Sequence, residues 1–211
     1  MAAGPSGAAP LPPPWLARRS LPILDIRAGT RVFRIHQLSH SAVFFGPQID
    51  PATGRRQAPT YRFDSASGSF GVLYAAERFE GPFVETILRN PQLTFVSQNY
   101  IRLRCVTELT FSRDLRLVDI RGRGLSGIGT TNAISTGPYA PCWTWSDYLY
   151  SHRDKPDGIA YASRHNPAEL CHAIFERTDL SVTRDEPIHP GEMLPEIRRI
   201  LRHYHKILTR P

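Results

Sequence analysis

Residues 61–89 read YRFDSASGSFGVLYAAERFEGPFVETILR and carry the clearest structural signals of the chain. An apolar run with an aromatic residue, Gly71 to Ala76, follows a loop rich in Ser and Gly, and this pattern predicts a strand. A helix is expected to begin near Pro82, because proline favours the first helical position. Tyr74 on the strand and Glu85 on the helix are then expected to face one pocket.

The predicted helix has one apolar face, formed by Phe83, Val84, Ile87 and Leu88. Glu85 falls at the edge of that face and Arg89 on the far side. In the first helical turn, the carboxylate of Glu85 would interact favourably with the helix dipole. The alternative is an ion pair with Arg89 four residues on, worth about 0.3 to 0.5 kcal/mol on a helix surface.

Composition indicates one globular domain. The chain has 211 residues, of which 41% are hydrophobic, enough for a buried core. Its three cysteines, Cys105, Cys142 and Cys171, form no CxxC pair, so neither a disulfide framework nor a zinc site is expected. Reduced thiols fit a cytoplasmic protein.

The formal charge of +7 suggests an acidic partner, but its distribution argues against a nucleic-acid binder. Residues 191–211 hold +3 of this charge, residues 1–20 hold +2, and the body between them holds the remaining +2. No basic stripe with interleaved aromatic residues crosses the body. Nucleic acid is therefore an unexpected partner.

Three regions are predicted along the chain. Residues 1–20 form a flexible tail rich in Pro, Ala and Gly, with neither the basic start nor the apolar core of a signal peptide. Residues 21–190 form the folded body, and residues 191–211 form a basic amphipathic helix packed on it or on a second copy in a homodimer. No apolar run approaches the roughly 20 residues that span a bilayer, so no membrane association is expected.

The predicted fold class is α+β, with a mixed, mostly antiparallel sheet and flanking helices. The expected strands are 31–36, 71–76, 100–107, 115–119, 157–163 and 170–176, and the expected helices are 82–90, 143–152 and 193–208. Segment 121–140, rich in Gly, Ser and Thr, is interpreted as a surface loop, since it lacks the GK[ST] ending of a phosphate-binding P-loop. Strand 157–163 ends at Ser163, which is placed either for a cleft or in a solvated turn.

Several of these pieces occur together in one known family. The order FRIH, YRFD, FGVLYAA, ETILR and later DGIAYASRH, over about residues 31–178, resembles the RES domain, named for its Arg, Glu and Ser. The resemblance implies an ADP-ribosyltransferase-like fold. It also implies a toxin that destroys NAD and has a separately encoded antitoxin.

The resemblance also implies roles for five residues. The catalytic set is Arg34, Glu85 and Ser163, and the substrate-binding set is Arg62 and Tyr74. Cleaving the bond between nicotinamide and ribose creates an oxocarbenium-like ribose that a carboxylate can stabilise. Guanidinium groups suit the pyrophosphate of NAD. NAD is then the substrate, and neither a metal nor another cofactor is implied.

Two other functions remain open from the sequence. Ile134, Ser135 and Thr136 resemble the Ser-Thr pair of some ADP-ribosyltransferases, with Arg34 before them and Glu176 or Glu186 after them, which would give a transferase that modifies a macromolecule. Alternatively, the C-terminal helix docks a partner and the protein is a non-enzymatic interaction module. Whether water, phosphate or a macromolecule accepts the ribose is also open.

Overall fold

An eight-stranded sheet forms the centre of the computed structural model, which describes residues 7–177, 182–188 and 191–209. Its strand order is β1-β6-β7-β8-β3-β2-β5-β9. The strands are β1 (Ile23–Ile26), β2 (Val32–Gln37), β3 (Val72–Ala76), β5 (Arg104–Phe111), β6 (Leu115–Asp119), β7 (Gly158–Ala162), β8 (Leu170–Phe175) and β9 (Val182–Ile188). β4 (Phe95–Ser97) and β10 (Ile207–Thr209) form a separate parallel pair.

Neighbouring strands of the large sheet run antiparallel, except for the parallel pair β6 and β7. The predicted class, an α+β fold with a mixed, mostly antiparallel sheet, is therefore confirmed. The parallel pair needs a long crossover, and the helices between residues 120 and 157 supply it.

The central strands are buried on both sides. On β3, Val72 and Ala76 belong to one apolar cluster, whereas Leu73 and Ala75 belong to another. This division follows from the alternation of side chains along a strand. It explains why residues 72–76 are a continuous apolar run rather than an alternating one.

Six α-helices surround the sheet within the described ranges: α1 (Glu80–Thr86), α2 (Gln98–Arg102), α3 (Arg123–Ile128), α4 (Ala133–Thr136), α5 (Tyr139–Ser151) and α6 (Leu194–His203). α5 buries Cys142, Trp145 and Leu149 against one face of the sheet. α1 and α6 meet in a third cluster, where Phe83 and Val84 lie with Ile197 and Ile200. None of the described helices is long and apolar enough to cross a membrane.

The structure corrects several predictions about individual segments. Residues 98–102 are helical, with Ser97 accepting a hydrogen bond from the Tyr100 amide as a cap, so β5 begins at Arg104 instead of residue 100. Segment 121–140 contains α3 and α4 and buries Ile128 and Ile134. It is therefore not an ordinary surface loop. The C-terminal helix ends at His203, and β10 follows.

The N-terminal segment differs from the predicted flexible tail over the part that the structure describes. A 3-10 helix spans Pro14–Arg18, and Leu16 within it is fully buried. Trp145 Nε1 donates a hydrogen bond to the Pro10 carbonyl, and the His152 ring lies within hydrogen-bond distance of the Leu16 carbonyl. A Pro-rich segment cannot form a core alone, but it can complete one that α5 provides.

Candidate active site

A cavity of about 340 Å³ opens where β2 and β3 separate. The two strands pair at one register position, Phe33 with Ala76, whereas β2 pairs with β5 at six. Beyond Phe33 the strands no longer close on each other, and their side chains reach a shared space. Its lining includes Arg34, His36, Tyr61, Arg62, Tyr74, Glu85, Arg89, Tyr100, Arg104, Ser135, Tyr139, Tyr161, Arg164 and His165.

Glu85 is the acid of this cavity, and its position on α1 differs from the prediction. α1 begins at Glu80 rather than near Pro82, so Glu85 is the sixth of seven residues and not part of the first turn. Pro82 is tolerated at the third position because the first amides of a helix have no intrahelical acceptor. The prediction that the Glu85 carboxylate interacts with the helix dipole from the first turn is therefore wrong.

Two donors from one turn hold the Glu85 carboxylate. The Ser163 hydroxyl and the Arg164 amide both donate to Oε1. The hydrogen bonds described for Glu85 leave Oε2 available to a ligand in the cavity. No ion pair joins Glu85 to Arg89 within the described residues. The Arg89 guanidinium instead lies 5.8 Å from the centre of the Tyr61 ring.

Ser163 is buried at the end of β7 rather than in a solvated turn. While its hydroxyl donates to Glu85, the same oxygen accepts from the amides of His165, at 3.1 Å, and Asn166, at 3.3 Å. The strand end thus delivers the hydroxyl to the carboxylate, and the following turn fixes its orientation.

Arg34 faces the cavity from β2. Alternation along the strand puts Phe33 and Ile35 against the cluster of α1 and α6, and puts Arg34 on the opposite face with Val32. The residue is only 9% exposed, and its Nη1 has no hydrogen-bond partner among the described residues. Burial lowers the Arg34 pKa to about 10, partly opposed by Tyr61 and Tyr74. An anion in the cavity would remove this electrostatic penalty.

Arg62 lies deeper in the fold. Its Nη1 donates to the Gly137 carbonyl at 2.8 Å and to the Ile134 carbonyl at 3.3 Å, and its guanidinium lies 4.5 Å from the centre of the Tyr139 ring. Nη2 is buried with no partner in the described part of the chain. Arg62 therefore joins the α4 region to the cavity and retains one group for a ligand.

The Tyr74 hydroxyl is already engaged. It donates to Asp64 Oδ1 at 2.9 Å and accepts from the Phe63 amide at 2.9 Å. Burial and the neighbouring Asp64 raise the Tyr74 pKa well above its usual value. The ring lines the cavity, so the substrate-binding role predicted for Tyr74 is now limited to ring contacts.

Sequence reasoning missed Asp64, which is fully buried. Its Oδ2 accepts from the amides of Thr60 and Tyr61, so the carboxylate connects the loop that carries Arg62 to Tyr74 on β3. Burial raises the Asp64 pKa, opposed by these hydrogen bonds. In the sequence, Asp64 stands out only as the last residue of the RFD triplet, and nothing in that triplet indicates that its carboxylate is buried.

The cavity is strongly basic. Five arginines and three histidines line it, against one carboxylate among the described residues. The histidines are His36, His40 and His165, and burial lowers the pKa of His165 although Glu85 opposes the shift. Burial raises the pKa of Tyr161 well above its usual value, and Glu85 adds to this shift whereas Arg62 opposes it. Such a cavity favours a small ligand that carries several negative charges. The Glu85 carboxylate would also stabilise positive charge on a ligand atom beside it.

Of the residues predicted for the alternative transferase site, the structure brings one to the cavity and places another elsewhere. Ser135 does line the cavity. Glu176, however, pairs with Arg56 and accepts from the Gly71 amide, and it is not among the lining residues. The side chain of Glu186 lies outside the described part of the structure.

Comparisons with known proteins give a family and a fold. The family model described as RES domain matches residues 31–195, well over half of the chain. A similar solved structure is a chain of the M. tuberculosis MbcT-MbcA toxin-antitoxin complex, at 12% identity and a TM-score of 0.53. The match covers 86% of this chain and 91% of that chain. At such identity the likeness is one of fold. No curated protein matches the chain.

Proposed function

The chain belongs to the RES domain family, and from that premise and the cavity we propose an enzyme that consumes NAD by cleaving its nicotinamide–ribose bond. In this reaction nicotinamide leaves with the electron pair of the bond, and water or inorganic phosphate adds to the ribose carbon. The cavity volume of about 340 Å³ lies within the usual range for small-molecule sites.

The observation that carries the proposal is the placement of Glu85. Of the described residues that line the basic cavity, one carries a carboxylate, and one oxygen of that carboxylate is fixed by Ser163 and Arg164. The reaction creates positive charge on the ribose, and a preorganised carboxylate stabilises that charge without reorganising. We assign this role to Oε2 of Glu85, and to Ser163 the role of holding the carboxylate.

The guanidinium groups account for the other end of the substrate. A pyrophosphate requires strong, directional donors, and Arg34 has a buried donor with no partner among the described residues. Arg62 has a second such donor at Nη2. We propose that these two groups bind the pyrophosphate and that the rings of Tyr61 and Tyr74 contact the nucleoside.

The physiological role is proposed from the neighbour alone. The similar M. tuberculosis chain comes from a toxin-antitoxin complex. We propose that this chain is likewise a cytoplasmic toxin whose activity a separately encoded antitoxin restrains.

The test is an incubation of the purified protein with NAD, with and without phosphate, followed by identification of the products by mass. Free nicotinamide should appear together with ADP-ribose, or with a phosphorylated ADP-ribose if phosphate is the acceptor. Glu85→Gln should lower kcat by about 10² to 10³, the usual loss when a group that stabilises transition-state charge is removed. Glu192→Gln, an exposed glutamate outside the cavity, is the matched control and should retain full activity.

The same assay separates the alternatives. If Glu85→Gln remains fully active while Glu176→Gln is inactive, the alternative transferase site carries the reaction, and a macromolecule is the expected acceptor. Intact NAD at micromolar concentrations of the wild-type protein would favour an interaction module.

A further inference from the structure

Tyr204 lies beyond the residues that the family model matches, yet it contacts both elements that position Glu85. It follows α6, and its ring packs against the cluster that α1 and α6 share. Its hydroxyl donates to Glu80 Oε1 at 2.9 Å and accepts from Asn166 Nδ2 at 2.6 Å. One hydroxyl thus bridges the first residue of α1 and the turn after β7.

The two bridged elements are the ones that meet at the acid. α1 carries Glu85 five residues after Glu80, which is roughly 7.5 Å along a helix. The turn carries Ser163 and Arg164, whose hydroxyl and amide hold the Glu85 carboxylate. α1 and the turn are therefore joined at two points, once through Glu85 and once through Tyr204.

Asn166 organises this turn. Its amide donates to the Ser163 hydroxyl, its carbonyl accepts from the Glu169 amide, and its side-chain oxygen accepts from the Ala168 amide. The remaining side-chain group, Nδ2, donates to Tyr204. Any shift of Asn166 would move the oxygen that donates to Glu85.

The C-terminal helix fixes the other side of the bridge. Arg199 Nη2 donates to Glu80 Oε2 at 3.1 Å and also pairs with Glu196, so both oxygens of Glu80 are bound by residues of the C-terminal segment. Burial and Glu80 raise the Tyr204 pKa to about 12. The hydroxyl consequently remains protonated at neutral pH and continues to donate.

We propose that Tyr204 is a positioning residue for the catalytic acid, and that the C-terminal segment is thereby a working part of the active site. The inference rests on the proposed NAD-consuming function. Tyr204 touches no substrate in this scheme and acts through Asn166 and Ser163 on one side and through α1 on the other.

Tyr204→Phe tests the inference, because it removes the bridging oxygen and keeps the ring. The expected result is a fall in kcat of about tenfold with less than a twofold change in the KM for NAD, since the pyrophosphate site is untouched. Asn166→Ala breaks the bridge from the other side. The double variant should lose no more activity than Asn166→Ala alone, because both changes remove the same link.

Ile200→Val is the matched structural control. Ile200 is buried on the same helix, and its truncation should lower the melting temperature about as much as the lost hydrogen bond, by roughly 2 to 4 °C. It should leave kcat unchanged. Equal kcat values for Tyr204→Phe and Ile200→Val, or a change in KM alone, would overturn the proposal.

Hydrogen exchange of residues 163–169 tests the role of Tyr204 independently of NAD turnover. Exchange should be faster in Tyr204→Phe than in wild type or Ile200→Val, because the turn loses its tie to α6. If wild-type protein leaves NAD intact, the proposed function fails, and exchange alone then decides the role of Tyr204. Unchanged exchange would refute it.

Discussion

Arg34 differs from the other buried arginines in its partners. Arg56, whose side chain is largely buried, pairs with Glu176, and Arg62 donates to two backbone carbonyls. Arg34 forms no hydrogen bond or ion pair with any described residue, although it is only 9% exposed. An unpaired buried charge destabilises a fold, so the Arg34 guanidinium is best explained as a binding group for an anionic ligand.

This leads to a prediction about stability and function together. Arg34→Met should raise the free energy of unfolding of the ligand-free protein by about 1 kcal/mol or more, because it removes an uncompensated buried charge. It should also abolish NAD turnover. Arg62→Met is the contrasting variant and should lower stability by about 1 to 3 kcal/mol, since two carbonyls lose their donor. Denaturant unfolding of both variants would check this, and a destabilised Arg34→Met would contradict it.

His172 provides a second prediction for a single residue. It is 1% exposed on β8, its ring nitrogens have no hydrogen-bond partner among described residues, and burial with nearby Arg121 lowers its pKa to about 4. The unfolded chain, with a pKa near 6.5, binds the proton more readily. Stability present above pH 6.5 is therefore lost as the pH falls toward 4, by about 3 kcal/mol in total.

His172→Leu should remove this component of the pH dependence. At pH 7.5 the variant should be within about 1 kcal/mol of wild type, since the ring makes no described hydrogen bond, whereas at pH 4.5 it should be the more stable protein. Urea unfolding at several pH values measures both quantities. Parallel curves for the two proteins from pH 7.5 to 4.5 would show that His172 does not carry the effect.

At the scale of elements, the sequence predicted those parts whose signals are local. The apolar run of β3, strand 115–119 and the strand that ends before Ser163 lie within a residue of their predicted bounds. β1, β4 and β10 were missed because strands of three or four residues depend on pairing partners distant in sequence, and β9 was missed because its sequence, VTRDEPI, lacks an apolar pattern and contains a proline. α3 was missed because its two glycines weaken a helical pattern that tertiary packing then restores, and α4 was missed because four residues are too few to show a helical pattern.

The candidate site was reached differently. Arg34, Glu85 and Ser163 were identified through the family resemblance, because local pattern alone left Glu85 open to an ion pair with Arg89 and left Ser163 open between a cleft and a solvated turn. The structure brings the Arg34 and Glu85 side chains to one cavity and Ser163 to the acid. Asp64 and Tyr204 could not be found in this way, because their importance lies in contacts across ten and 124 residues of sequence.

Close packing of α1 on β3 gives a prediction for an element. Gly81 is buried in α1, and a Cβ built there would lie 2.6 Å from the Cβ of Ala76. Gly81→Ala must displace α1 from the sheet, so it should lower stability by about 1 to 3 kcal/mol and reduce kcat by moving Glu85. Gly127 in α3 has nothing within 4 Å of its added Cβ. Gly127→Ala should therefore stabilise the protein by about 0.5 to 1 kcal/mol and leave kcat alone. Equal effects of the two changes would contradict this account of α1.

At the scale of the whole molecule, charge is concentrated where the substrate is proposed to bind. Residues 21–190 carry a net charge of only +2, yet among the described residues five arginines and one carboxylate surround the cavity. Arg89 and Arg164 are exposed there and form no ion pair with a described residue. Such a rim attracts anions from solution at low ionic strength and loses this effect as salt screens it.

Substrate capture should consequently depend on salt. The KM for NAD should rise as sodium chloride increases from about 50 to 500 mM, a range over which the screening length falls from roughly 14 to 4 Å. Arg164→Gln should lower kcat/KM about threefold to tenfold at low salt and much less at high salt, because its backbone amide still holds Glu85 while its charge is gone. Arg19→Gln changes net charge equally at an exposed residue that does not line the cavity, and it should have no effect. If both variants respond alike, net charge rather than the rim steers the substrate; if neither responds and the KM is independent of salt, binding is governed by the buried pair Arg34 and Arg62.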